Sequence, residues 1–153
     1  MRSPQPDDTG IIGDPPAAPR AVAVVLDLRA VTTRVGVKEA LHDSAQAAWD
    51  SAREHQGVRH VIIAARLEAS VTRHFDRIAS AIATRFHSRL ERSTGRDIEF
   101  TLIDISECAD PELLQSRLQE RAHDPAGAHG VVLLGWKDIA HTPIVHAARA
   151  QYF

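Results

Sequence analysis

The chain has 153 residues, 44% of them apolar and 25% charged, with a formal charge of −2 and a pI near 6.5. That is the size and composition of one globular domain with a real core. No global field draws it to an anionic membrane or to nucleic acid, so a protein partner is expected before either.

Sixteen of the eighteen cations are arginine, with Lys38 and Lys137 the two exceptions. Alongside the abundant alanine this fits a genome rich in G and C. Selection for bidentate guanidinium contacts would instead require the arginines to cluster. Cys108 is the only cysteine, which leaves no internal disulfide and no thiolate metal site. No run approaches a membrane span, the longest being Ala21–Leu26, and the N-terminus lacks the apolar stretch of a signal peptide. A cytoplasmic location is the expectation.

Residues 1–19 carry Pro4, Pro6, Pro15, Pro16 and Pro19 among Asp and Gly. This composition predicts a disordered tail, with one domain over 20–153. Ala21–Leu28 then reads as a strand buried on both faces. Val37, Leu41, Ala45, Ala48, Trp49 and Ala52 recur near a 3.6-residue period, an amphipathic helix over Val37–Glu54 that ends before Gly57. His60–Ala65 is the second strand. Val71, Phe75, Ile78, Ile82, Phe86 and Leu90 mark one long second helix, with Ser70 or Thr72 near its start and Gly95 past its end. Ile98–Ile105 is the third strand. Asp110-Pro111-Glu112 opens the third helix with a capping Asp, a first-turn Pro and an acid. Asp124–Gly130 is a turn, Val131–Leu134 the fourth strand, and Thr142-Pro143 begins a last short helix.

Strands alternating with helices imply right-handed crossovers and a parallel sheet covered on both faces. The expected fold is a three-layer α/β/α sandwich with a four-stranded, mostly parallel sheet, wound like flavodoxin or half a Rossmann fold. In this winding the four strands take the order 2-1-3-4.

Ligands of such sheets sit beyond the carboxyl ends of the strands. That rule selects Asp27 and Arg29 after the first strand, Arg66 after the second, Asp104 and Glu107 after the third, and Lys137 after the fourth. If the first and third strands are neighbours, Asp27 and Asp104 face each other, and with Lys137 nearby they could hold Mg²⁺ and a phosphoryl group. The plainer alternative is that both acids cap turns or pair with Arg29 and Arg66. No phosphate-binding glycine motif and no G-x-S-x-G occurs. Cys108 lies just before a helix N-terminus, but Glu107 and Asp110 flank it and oppose a thiolate. The nine histidines show no metal-binding spacing. Arg85, Arg89, Arg92 and Arg96 follow i, i+4, i+7, i+11, with Arg73 and Arg77 an earlier pair, and form a basic helix edge that could meet an acidic partner. Few aromatics accompany it, which argues against base stacking.

Receiver domains and phosphohydrolases of the haloacid-dehalogenase type place acids and a lysine comparably. Here Asp27-Leu28-Arg29 puts an arginine where their second acid stands. Val24-Val25-Leu26-Asp27-Leu28-Arg29-Ala30-Val31-Thr32 resembles the strand-to-helix turn of anti-sigma-factor antagonist (STAS) domains, with Thr32-Thr33-Arg34-Val35-Gly36 in place of their Asp-Ser-x-Gly. Glu39–Ala65 resembles the first helix and strand of crotonase-type enzymes, with Arg66-Leu67-Glu68 replacing the oxyanion loop. Each resemblance is partial, and no functional residue is carried over.

Two functions follow from these readings. One is a non-catalytic regulatory or protein-interaction domain, self-associating or bound to another protein, acting through Arg85, Arg89, Arg92 and Arg96 or through the final helix with Tyr152 and Phe153. The other is a small enzyme or binding protein for a phosphorylated or carboxylated metabolite. It would use Asp27, Asp104 and Lys137 in catalysis and Arg29, Arg66 and Glu107 as ligand contacts. Convergence of these groups on one cleft would decide for the second.

Overall fold

The computed structural model describes residues 8–13, 19–94, 98–126 and 130–152. Their elements are β1 (Asp8–Gly13), β2 (Pro19–Leu28), α1 (Arg34–Glu54), β3 (His60–Leu67), α2 (Ala69–Thr72), α3 (Phe75–Thr94), β4 (Glu99–Asp104), α4 (Pro111–Ala122), β5 (Val131–Gly135), α5 (Trp136–Ile139) and α6 (Ile144–Tyr152). The four strands β2 to β5 are parallel, with helices on both faces, the three-layer α/β fold that the alternation implies.

Three features depart from the sequence reading. Within the expected tail, Asp8–Gly13 is an edge strand, antiparallel to β2 from Asp8↔Val25 onward, and Ile12 is buried in the core, while residues 1–7 and 14–18 lie outside the described residues. A strand of this kind is held by its partner's free backbone groups rather than by its own apolar content, which is why composition missed it. The long second helix is broken at Arg73–His74 into α2 and α3. There the Thr72 hydroxyl donates to Asp104, fixing α2 to the end of β4 while α3 runs back along the sheet. The strand order is β1-β2-β3-β4-β5, so the 2-1-3-4 winding is replaced by a sequential one.

That sequential order has a consequence for handedness. Val22, Val24, Leu26, Val61, Ile63, Phe100 and Leu102 form one core with α1 and α3. Ala21, Ala23, Ile62, Ala64, Ile103 and Val132 form a second core with α4 and α6 on the opposite face. All three crossovers step the same way across the sheet, yet α1 and α3 lie on one face and α4 on the other. The β4–α4–β5 crossover therefore has the opposite hand to the other two. Parallel crossovers are right-handed in about 98% of cases, a preference that this sheet cannot satisfy in all three.

A buried polar network holds α4 on its face. Arg121 is 1% exposed and donates to Glu99 (3.3 Å) and Thr101 (3.3 Å) on β4 and to Asp124 (3.2 Å) beyond the helix. His60, fully buried at the start of β3, donates from Nε2 to the Asp124 carbonyl at 2.8 Å. Its Nδ1 is therefore the bare acceptor nitrogen, 3.8 Å from the Glu99 carboxylate. Burial, reinforced by the Arg121 charge, holds the His60 proton affinity below the ordinary imidazole value despite the nearby acids.

Breaking this network should be costly. Arg121→Ala removes the guanidinium from a buried carboxylate and should cost about 3–5 kcal/mol in urea unfolding; a loss under 1 kcal/mol would show that α4 is held by its apolar face alone. The neutral His60 adds a pH dependence. Its folded-state pKa is lowered, so its contribution is fully present above the unfolded-state value near pH 6.5 and is lost as pH falls toward the folded value. Over that window wild type should lose stability more steeply than His60→Gln, by up to about 1.4 kcal/mol per pH unit. Parallel curves would exclude His60 as the titrating group.

Candidate functional site

At the carboxyl edge of the sheet the chain after β3 turns to one face and the chain after β4 to the other. Diverging loops leave a crevice, the geometry that makes strand-order reversals into binding sites in other open sheets. Here the crevice is a cleft of about 470 Å³ whose lining includes Thr72, Asp76, Asp104, Glu107, Lys137 and Asp138. This volume suits a small metabolite.

Three sequence-selected residues, Asp104, Glu107 and Lys137, line that cleft; Asp27, Arg29 and Arg66 do not. β3 stands between β2 and β4, which sets Asp27 and Asp104 two strands apart, on the order of 10 Å. They also point to opposite faces, since Asp27 follows Ala23 and Val25 on the α4 side and Asp104 follows Phe100 and Leu102 on the α1–α3 side. The expected pair of facing carboxylates is not formed.

Each group has local partners instead. Asp27 accepts from the Arg29 backbone N–H (3.1 Å), from Nε (2.8 Å) and from Nη2, and this contact drives its pKa down to about 2. Arg66, beside Asp27 in the strand register, donates to the carbonyls of Cys108 (3.0 Å) and Ile105 (3.4 Å). Asp104 accepts from Thr72, from the Ser106 backbone N–H (2.9 Å) and from the Ser106 hydroxyl (2.5 Å). Ser106 in turn accepts from the Leu67 N–H at 2.9 Å, so Asp104 ties the ends of β3, β4 and α2 together. Cys108 is buried, with Sγ 3.5 Å from the Asp110 carbonyl.

The charge of the cleft also disfavours an anionic metabolite. Asp76, Asp104, Glu107 and Asp138 face a single cation, Lys137. Asp138 accepts from the Gly135 N–H at 2.8 Å as a cap for α5. Among the described residues no group of three or more His, Cys, Asp or Glu is placed to hold a metal ion.

The outer surface of α1 and α3 is different. Arg85 and Arg92 are exposed on α3, and Arg89 lies over the rings of Trp49 (4.6 Å) and Phe86 (4.9 Å). Arg53 of α1 also stacks on Trp49, at 4.6 Å, and Lys38 is exposed on the same helix. Among the described residues none of these five cations has a carboxylate partner, whereas Arg29, Arg117 and Arg121 each hold one. Arg96 lies outside the described residues, as do the side chain of Tyr152 and all of Phe153. The α3 stripe was readable as a basic edge. Its α1 half, Lys38-His42-Trp49-Arg53, was missed although its i, i+4, i+11, i+15 spacing marks one helical face.

No protein-family model, curated protein or solved structure matches the chain.

The two acids can be separated by substitution. Asp104→Ala strips a charged acceptor from three donors and should cost about 2–4 kcal/mol in urea unfolding. Asp27→Ala removes an exposed local pair and should cost under about 1 kcal/mol. Equal losses would mean that Asp104 is not the tie at the end of the sheet.

Proposed function

We propose that this chain is a non-catalytic interaction domain that binds an acidic polypeptide across the outer face of α1 and α3. The carrying observation is the row of cations, Lys38, Arg53, Arg85, Arg89 and Arg92, without a carboxylate partner among the described residues. In a chain of net charge −2 such a row is local rather than a result of overall basicity. Unneutralised guanidiniums repel one another, and a carboxylate-rich segment relieves that repulsion while forming bidentate contacts. Arginine is also among the residue types enriched where binding energy concentrates at protein interfaces.

Trp49 supports a polypeptide over nucleic acid. It is 8% exposed and covered by Arg53 and Arg89, so its ring is closed to a base. A second copy of the chain is one source of acidic residues, because Glu39, Asp43, Asp50 and Glu54 follow one another along the neighbouring stripe of α1. The metabolite reading has weaker support: of its residues only Asp104, Glu107 and Lys137 share a cleft, and that cleft is acidic.

The test is fluorescence anisotropy with a labelled glutamate-rich peptide at low ionic strength, with light scattering to follow self-association. Binding should weaken steadily with salt. It should fall at least tenfold in Arg85→Glu/Arg92→Glu and change little in Arg149→Glu, a charge reversal on α6. Equal loss in both variants, or none in either, would remove the α1–α3 face as the binding surface. A concentration-dependent dimer abolished by the same pair would identify the partner as a second copy.

A further inference from the structure

We infer that the partner of the α1–α3 face is a second copy of this chain, bound about a twofold axis that runs along α1, so that the cations of each copy meet the acids on α1 of the other. The inference deepens the reading above and rests on it for the use of that face. It adds the identity of the partner and the orientation in which it binds.

The face carries two stripes of opposite charge, side by side. On the α3 side lie Lys38, Arg53, Arg85, Arg89 and Arg92. Direct contacts join the two helices there: Arg53 and Arg89 both stack on the Trp49 ring at 4.6 Å, and the His42 ring of α1 meets Phe86 of α3 edge-on, with centroids 5.5 Å apart. On the far side of α1, Glu39, Asp43, Asp50 and Glu54 are all exposed and fall on one stripe of the helix. These acids are as poorly paired as the cations. Among the described residues Glu39 and Glu54 hold no cation, the Asp50 carboxylate accepts only from the Gln46 amide (3.1 Å), and Asp43 has only the His42 ring, at 3.8 Å. Arg53 stands three residues from Asp50, within reach of a bridge along the helix, yet it turns over Trp49 instead.

A surface divided in this way complements itself. In a twofold dimer one patch meets its own image, and the two stripes are exchanged only if the axis runs along their boundary. Val35, His42 and Gln46, spaced i, i+7, i+11, mark that boundary on α1. The two copies of α1 therefore lie side by side and point the same way, each row of acids against the partner's cations. An antiparallel pair would set acids on acids and cations on cations. An unrelated acidic partner would satisfy the cations but be repelled by the neighbouring acids. Val35, a large apolar side chain 68% exposed, meets its own copy near one end of the axis. α1 has 21 residues and is about 30 Å long, and with α3 beside it the face covers about 600 Å² per copy, the low end for a specific interface. Such a dimer is weak, and salt dissolves it by screening its exposed charges.

The experiment is sedimentation velocity on the whole chain over a range of concentrations at low ionic strength, with anisotropy of the glutamate-rich peptide measured on the same variants. Wild type should pass from monomer to dimer and revert as sodium chloride is raised. Arg85→Glu/Arg92→Glu and Glu39→Lys/Glu54→Lys should each stay monomeric where wild type is dimeric. An equimolar mixture of the two should recover the dimer, because opposite reversals restore both contacts. Val35→Cys should form an interchain disulfide on mild oxidation, Cys108 being buried. A wild type that is monomeric at every concentration, or a mixture that stays monomeric, would overturn the second copy as partner. A dimer without the Val35→Cys cross-link would overturn the parallel orientation. The peptide arm separates this inference from the reading it rests on, since Glu39→Lys/Glu54→Lys keeps every cation and should still bind the peptide. Peptide binding by a chain that never dimerises would remove only the second copy, whereas no peptide binding by that variant would remove the face itself.

Discussion

The fold depends on one requirement: β2, β3 and β4 are buried on both faces and must be covered twice. Val61, Ile62, Ile63 and Ala64 in β3 are all essentially inaccessible to solvent, two pointing to each side. With α1 over β2 and β3, and α3 over β4 and β5, one face is complete before the chain reaches β4. The other must be filled by what remains, α4 and α6. In a sequential sheet this puts the last crossover on the opposite face from the two before it and gives it the opposite hand. Burying the second face outweighs the steric preference that ordinarily sets handedness. The Arg121 network, buried among His60, Glu99, Thr101 and Asp124, anchors the far end of the helix that makes this crossing.

The same crossing shapes the carboxyl edge. Loops that part to opposite faces after β3 and β4 open a cleft, and the residues best placed for chemistry are used to hold its sides together. Asp104 binds Thr72 and Ser106, and Ser106 binds the Leu67 N–H. Asp27, on the other face, is occupied by Arg29. A carboxylate already engaged by several fixed donors is a structural tie, and releasing it for catalysis would cost the stability it supplies. The groups left without such engagement lie instead on the helices.

Local signals in the sequence were reliable where local forces decide. A continuous apolar run marked β2, short strand-like runs marked β3 and β4, the 3.6-residue period marked α1, and Asp110-Pro111 marked the start of α4, where the Asp110 carboxylate does accept from Leu113 N–H at 3.0 Å. What the sequence hid is non-local. β1 exists through its pairing with β2, the break between α2 and α3 through the bond from Thr72 to a residue 32 positions away, and the strand order through which helices reach which face first. The candidate site divides the same way. The stripe of arginines along α3 was legible because both its spacing and its exposure belong to one helix. Its union with Lys38 and Arg53 requires two helices that pack side by side.

Charge segregation on α1 connects the fold to a use for it. Lys38 and Arg53 lie toward α3, while Glu39, Asp43, Asp50 and Glu54 keep to the next stripe round. Were the helix only a solvated cover, alternating its acids and bases at i, i+4 would stabilise it by a few tenths of a kcal/mol per pair. Instead, the α3-facing stripe and its neighbours on α3 leave their cations without carboxylate partners among the described residues. Stability alone gives no reason for that arrangement, because each unrelieved guanidinium contact is mildly repulsive. A surface that gives up intramolecular pairing retains its charge for an intermolecular one. The two helices that supply it are also the pair whose packing completes the first face of the sheet, so the surface proposed for binding is carried on one of the two buried cores.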